Sequence, residues 1–112
     1  MNKYKVILEE AKRDFEIHDD FKIRMKKMKI KAASISLKTR VIRMNKELEY
    51  DPEFINYLIY HELAHYKLST RLHSKEFYEL LYPKLGEKKV KSLEKRILRK
   101  MLEVNHIRRS FD

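Results

Sequence analysis

The 112-residue chain contains no cysteine and no tryptophan, a single glycine and two prolines. The missing cysteines exclude a disulfide scaffold, a Cys-containing zinc finger, an iron–sulfur site and thiol catalysis, so any metal must be held by nitrogen and oxygen ligands. No apolar run approaches membrane-spanning length. The opening Met1-Asn2-Lys3-Tyr4-Lys5-Val6-Ile7-Leu8-Glu9-Glu10 turns acidic after three apolar residues and lacks the hydrophobic region of a secretory signal, so a soluble, cytoplasmic protein is expected. No Gly/Ser linker, repeat or low-complexity tract offers a boundary, and 43% hydrophobic residues suffice for one core, so residues 1–112 read as a single domain.

What is abundant is positive charge: 27 Lys and Arg against 17 Asp and Glu give a net +10. Such a balance raises the question of nucleic acid. The basic residues of 24–31, 84–100 and Arg108-Arg109 are mostly interleaved with apolar residues at strand or helix spacing, which reads as solvated faces of packed elements. Nucleic acid therefore enters as a non-specific partner, and a dedicated nucleic-acid-binding module with a structural or idle metal site is the alternative to an enzyme.

Periodicity gives the order helix, strands, helices, an α+β domain. Tyr4, Ile7, Leu8, Ala11 and Phe15 recur at three and four residues and make a first amphipathic helix. The period then changes to two, Phe21, Ile23 and Met25 alternating with Lys22, Arg24 and Lys26, which reads as a half-buried strand. The phase slips at Lys26-Lys27 before Met28 and Ile30 resume, implying a turn or bulge. Ala32–Ser36 and Arg40–Met44 flank Leu37-Lys38-Thr39 as a hairpin without glycine, so the sheet has two or three strands.

At Tyr50-Asp51-Pro52-Glu53 the signals of a helix start coincide: an Asp N-cap, Pro at the first helical position, an acidic first turn and Tyr50 placed to staple onto Ile55. This helix should run to about Ser69. Ser74 caps a second helix ending near Pro83 or at Gly86. Val90, Leu93, Ile97, Met101 and Val104 mark a last amphipathic helix from Glu87.

The helix opened by Asp51 carries His61-Glu62-Leu63-Ala64-His65. Residues four apart on a helix lie about 40° and 6 Å from each other, so His61 and His65 can reach one ion. Glu62, turned by about 100°, can reach water on that ion without ligating it, as a general base must. Projected on a wheel, Phe54, Leu58 and Leu68 share the histidine face, while Glu53, Asn56, Tyr60 and Lys67 fall opposite. The histidines and the glutamate therefore sit on a face that should be inward, where burial is costly without a partner.

Three protein ligands and a water define a catalytic zinc site. His73, just before the presumed cap Ser74, is the favoured third ligand, with Glu76 and Glu79 as carboxylate rivals. His18 reads as a solvated residue closing the first helix. No carboxylate that would orient a ligating histidine is identifiable from spacing, nor is the residue that stabilises an oxyanion, although Tyr66, Arg71, Tyr78 and Tyr82 are chemically able.

HELAH on its helix, with the His73-Ser74-x-x-Phe77 segment behind a first helix and a small sheet, resembles the minigluzincins, small soluble zinc metallopeptidases. The same core resembles the catalytic domains of CAAX-prenyl endopeptidases, without their flanking transmembrane helices. The resemblance implies a backing helix, a HExxH helix, a short ligand-bearing helix and a C-terminal helix; a histidine as third zinc ligand, supporting His73; and a peptide or protein substrate. It further implies a strand that pairs with extended substrate, which Ala32, Ala33, Ser34, Ile35 and Ser36 would supply. The family is held latent by C-terminal segments, so residues 87–112 become a candidate latency or assembly segment, acting within one subunit or in a homodimer, with His106 or the carboxylate of Asp112 as groups able to reach the zinc.

Overall fold

The structure is a computed structural model that describes residues 3–105, with the backbone alone for 104 and 105. Helix α1 (Tyr4–Asp14) is followed by strands β1 (Lys22–Lys26), β2 (Ala33–Ile35) and β3 (Val41–Asn45), a 3-10 turn (Lys46–Leu48), and helices α2 (Pro52–Leu68), α3 (Lys75–Leu85) and α4 (Glu87–Asn105). The expected α+β architecture is present. His106, Arg108, Arg109 and Asp112 lie outside the described residues.

The sheet has the order β1-β3-β2, with β1 parallel to β3 and β2 antiparallel to it. Ala33 faces Met44 and Ile35 faces Ile42, so the glycine-free hairpin forms as expected. Its turn closes because Arg40 adopts the left-handed conformation at φ 58° and donates its backbone N–H to Ser36 O at 2.8 Å. Met28 and Ile30 do not resume a strand. With β1 and β2 on opposite sides of β3, residues 27–32 must cross the end of the middle strand, and Ile30 is left 59% exposed.

Asn45 makes that crossing possible. Fully buried at the end of β3, it donates its side-chain amide to Met28 O at 2.9 Å and Lys31 O at 3.0 Å, while its backbone N–H reaches Ala32 O at 2.8 Å. Two carbonyls that the sheet cannot satisfy are paired in this way, and the chain enters β2 in register.

Helix α2 begins as its sequence dictates: Asp51 caps it by accepting from Glu53 N at 2.9 Å, and Pro52 occupies the first turn. Tyr50 meets Phe54 edge-on at 5.8 Å, while Ile55, the residue expected to receive it, is turned into the core at 2% exposure. A second correction concerns the outward face. Tyr60 is only 6% exposed, packs edge-on against Phe15 at 5.6 Å and donates to Asp14 at 2.6 Å. α2 is the central element, touched by α1, α3, α4, β2 and β3, so a wheel that assumes one buried stripe misplaces Tyr60.

Helix α4 turns Val90, Leu93, Ile97 and Met101 into this same core. Its apolar stripe is thereby covered within its own chain through Met101. Arg96 ties it to the start of α2, reaching Asp51 at 3.1 Å and lying 5.2 Å over the Phe54 ring. No described helix is long and apolar enough to cross a membrane.

Two phenols clamp α1 to the rest. Partial burial and then the bond to Glu49 push Tyr4 up to about 12, and burial and then Asp14 raise Tyr60. Because folding favours the neutral phenols, their contribution is complete below the ordinary tyrosine value of 10.0 and is lost as pH rises through about 12. Chemical denaturation between pH 9 and 12 should therefore show falling stability, with a shallower fall in Tyr4→Phe and Tyr60→Phe; identical slopes would remove these groups as its source.

Candidate metal centre

His61 and His65 are positioned by the α2 backbone, and both are buried. His73 comes from the six-residue link between α2 and α3. The reversal is made by Ser69, left-handed at φ 50°, after which Thr70 N returns to His65 O at 3.1 Å. Ser74 then caps α3 by accepting from Phe77 N at 3.4 Å. Between these two helix ends the link carries the imidazole of His73 up to the α2 histidines.

It stands with its Nε2 3.1 Å from His61 Nε2 and 3.1 Å from His65 Nε2. Phe77, fully buried, floors the cluster with its ring 4.8, 4.6 and 5.1 Å from the rings of His61, His65 and His73. His73 itself is exposed, so the cluster opens to solvent on that side.

The opposite ring atoms define the tautomers. His65 Nδ1 lies 2.8 Å from Thr70 O, a pure acceptor, so Nδ1 carries the proton and Nε2 is a bare lone pair. His61 Nδ1 lies 2.9 Å from Tyr57 Oη, whose own proton goes to Glu94 at 2.5 Å, so His61 Nδ1 must donate as well. Two bare lone pairs thus face His73 Nε2, which has at most one proton to offer. As neutral imidazoles the trio would hold one unfavourable lone-pair contact, which a cation removes. The 3.1 Å spacings also approach the edge, about 3.3 Å, of a tetrahedron with metal–nitrogen distances of about 2.0 Å. The donor set fits a metal ion.

Glu62 follows His61 on α2 and is fully buried. Glu76 and Glu79, the carboxylate rivals, are exposed and join no such cluster; among the described residues the group able to hold a metal is His61, His65 and His73. His18 is exposed, as expected. Of the four groups chemically able to stabilise an oxyanion, Tyr66 donates to Asp19, Tyr78 to Glu94 at 3.1 Å and Arg71 to Ile35 O at 3.2 Å, while Tyr82 stacks on Tyr78.

The Ala32–Ser36 segment runs along one edge of the sheet, opposite β1. Ala32 O and Ser36 N bond to β3, so by alternation the N–H and C=O of Ala33 and Ile35 point away from it. Arg71, two residues before His73, reaches that edge at Ile35 O. Strand and imidazole cluster are neighbours.

A small α+β domain with H-E-x-x-H on a central buried helix beside an edge strand is of the metallopeptidase class. The chain belongs to the YgjP-like metallopeptidase domain family, whose model matches residues 4–101. It is 32% identical over 100 residues to an uncharacterised protein of Methanocaldococcus jannaschii, covering 88% of this chain and 91% of that one. An uncharacterised protein of Aquifex aeolicus is 43% identical over 63 residues, 54% of this chain and 57% of its own length. Among solved structures, the metallopeptidase zymogen abylysin of Pyrococcus abyssi superposes with a TM-score of 0.81 at 28% identity, over 96% of this chain and 98% of that one. The metallopeptidase zymogen jannalysin of M. jannaschii gives 0.77 at 31% identity, over 90% and 99%. The chain is thus a metallopeptidase by family, and the family implies a metal ion.

Sequence reasoning found the trio but not Tyr57, Glu94 or the Thr70 carbonyl. Glu94 is 37 residues from Tyr57 and carried no spacing signal. The left-handed Ser69 gives a direct check of the reversal that delivers His73. Ser69→Gly should leave thermal stability unchanged or slightly raised, whereas the β-branched Ser69→Val should cost about 1–2 kcal/mol; equal melting temperatures would contradict the geometry.

Proposed function

We propose that the protein is a zinc-dependent peptidase in which His61, His65 and His73 hold the metal through Nε2 and Glu62 is the general base. The observation that carries this reading is the convergence of three Nε2 atoms whose partner nitrogens, at His61 and His65, are committed to donating elsewhere. Nitrogen-only ligation with one side open to solvent suits a catalytic zinc site of three protein ligands. When bound, the ion would polarise a scissile carbonyl and bring the pKa of a coordinated water towards about 7.

The chain's own residues supply the rest. Glu62, one residue along the same rigid helix from His61, is held in a fixed relation to the site and would take the proton from water, then pass it to the leaving amine. No covalent enzyme intermediate is required. An extended peptide would lie along β2, pairing with the outward backbone groups of Ala33 and Ile35; both residues are buried in this structure and Ile35 O accepts from Arg71, so that edge would have to be uncovered before substrate could pair with it. Such pairing is indifferent to side-chain identity, so it fits a peptide or protein substrate of broad sequence.

Latency belongs to this reading because both solved relatives are zymogens. Met101 is fully buried, and its sulfur lies 3.6 Å from the Asn45 amide, so a cut after Lys100 would damage the core. Removal of residues 106–112 is the cleaner test: peptide cleavage should rise, and unchanged activity would take latency out of the account.

For the site itself, metal content and peptide hydrolysis should separate. Glu62→Gln should retain one zinc per chain while losing activity by about 10²–10⁴-fold, the usual range for a lost acid–base group. His73→Ala should lose the metal. Wild-type activity in Glu62→Gln, or full zinc in His73→Ala, would defeat the assignment.

A further inference from the structure

Among the described residues, the inner stripe of α4 is apolar apart from one group. Glu94, next to the buried Leu93, is partly covered and directs its carboxylate between two phenols, accepting from Tyr57 at 2.5 Å and from Tyr78 at 3.1 Å. Tyr57 is fully buried on α2, one turn before His61, with its ring 5.4 Å from that imidazole. Tyr78 is on α3, one residue from Phe77, the ring that floors the imidazole cluster. One carboxylate on α4 therefore joins both helices that border the trio.

The proton count gives this arrangement a direction. A phenol has one hydrogen; with it donated to Glu94, Tyr57 Oη can only accept from His61, and His61 must then present Nε2 unprotonated to the cluster. Were Glu94 not there to receive it, the same hydroxyl could donate to His61 Nδ1 instead. That would leave the proton on Nε2, the form unable to bind a metal. A second effect acts on basicity: a negative group at the far end of a short hydrogen-bonded chain increases electron density on the imidazole.

We propose that Glu94 and Tyr57 are positioning residues for the metal, with Glu94 acting through the Tyr57 hydroxyl to fix the tautomer of His61. The inference rests on the reading of His61, His65 and His73 as a metal site, and it gives α4 a part in that site separate from any role in latency. His65 takes its direction from the Thr70 carbonyl within its own helix end, whereas His61 depends on a residue 33 positions away.

The test is zinc affinity of the full chain, measured by competition with a chromogenic chelator, alongside thermal melting of the metal-free protein. Tyr57→Phe removes one oxygen, and Glu94→Leu removes the acceptor that takes the phenol's proton, which the amide oxygen of a Gln would still supply. Each should raise the zinc dissociation constant, by about 10–100-fold for Tyr57→Phe. The double variant should bind no more weakly than Tyr57→Phe alone, because the path runs through the hydroxyl. Metal-free melting will fall where a buried hydrogen bond is lost, so affinity is compared at a temperature where every variant stays fully folded, and there a purely structural role would leave it unchanged.

Unchanged affinity in both single variants overturns the proposal. Additive losses do so too, since Glu94 would then act by its charge through space. Should Tyr57→Phe fail to fold, Glu94→Leu alone decides by whether zinc binding weakens. A wild-type chain that binds no zinc is a different failure: it removes the metal reading itself, which the variants leave standing.

Discussion

The structure depends on keeping two imidazoles and a carboxylate inside an apolar core without letting them disrupt it. His61, Glu62 and His65 are essentially without solvent contact on a helix surrounded by Leu58, Ile59, Leu63 and Ala64. Buried polar groups of this kind cost several kcal/mol unless each finds a partner. The histidines have theirs: a helix-end carbonyl for His65 and a phenol for His61, with His73 across from both. The site is thus a solution to a burial problem, with a donor set that fits a cation at its centre.

Around that constraint the other elements have recognisable duties. α1 covers the side of α2 away from the histidines and is held there by Tyr60 and Asp14. The sheet places an edge strand near the cluster, and Asn45 pays the hydrogen-bonding debt of the crossing that brings β2 there. The link into α3 delivers His73, and α3 places Phe77 beneath it. α4 packs across the start of α2 and contributes Glu94. A domain this small has few residues to spare for scaffolding alone, which is consistent with a family match that spans almost the whole chain.

Much of this was legible in the chain because it is local. The caps Asp51 and Ser74, the stop at Gly86 and the i, i+4 histidines are each set within a few residues, where backbone geometry decides the outcome. The reach of His73 was legible for a related reason: a short link with a cap at its far end leaves little conformational freedom. Tyr60 was misplaced because a helical wheel knows its own face but not how many neighbours surround it. Met28 and Ile30 were misplaced because alternation cannot reveal that the chain must pass the end of a strand not yet formed.

The sequence by itself determined the elements, the metal-binding pattern and the class of chemistry, since each follows from spacing along one helix or one strand. Only the tertiary structure decided which groups stand against the outer ring nitrogens of the histidines, which strand lies beside them and how completely α2 is enclosed. Those depend on residues such as Tyr57 and Glu94, or Asn45 and Met28, that are distant in the chain and meet only when hydrophobic burial brings their elements together. Hydrogen bonds between them carry no periodic signature, because their geometry is a property of packed surfaces and not of any single segment.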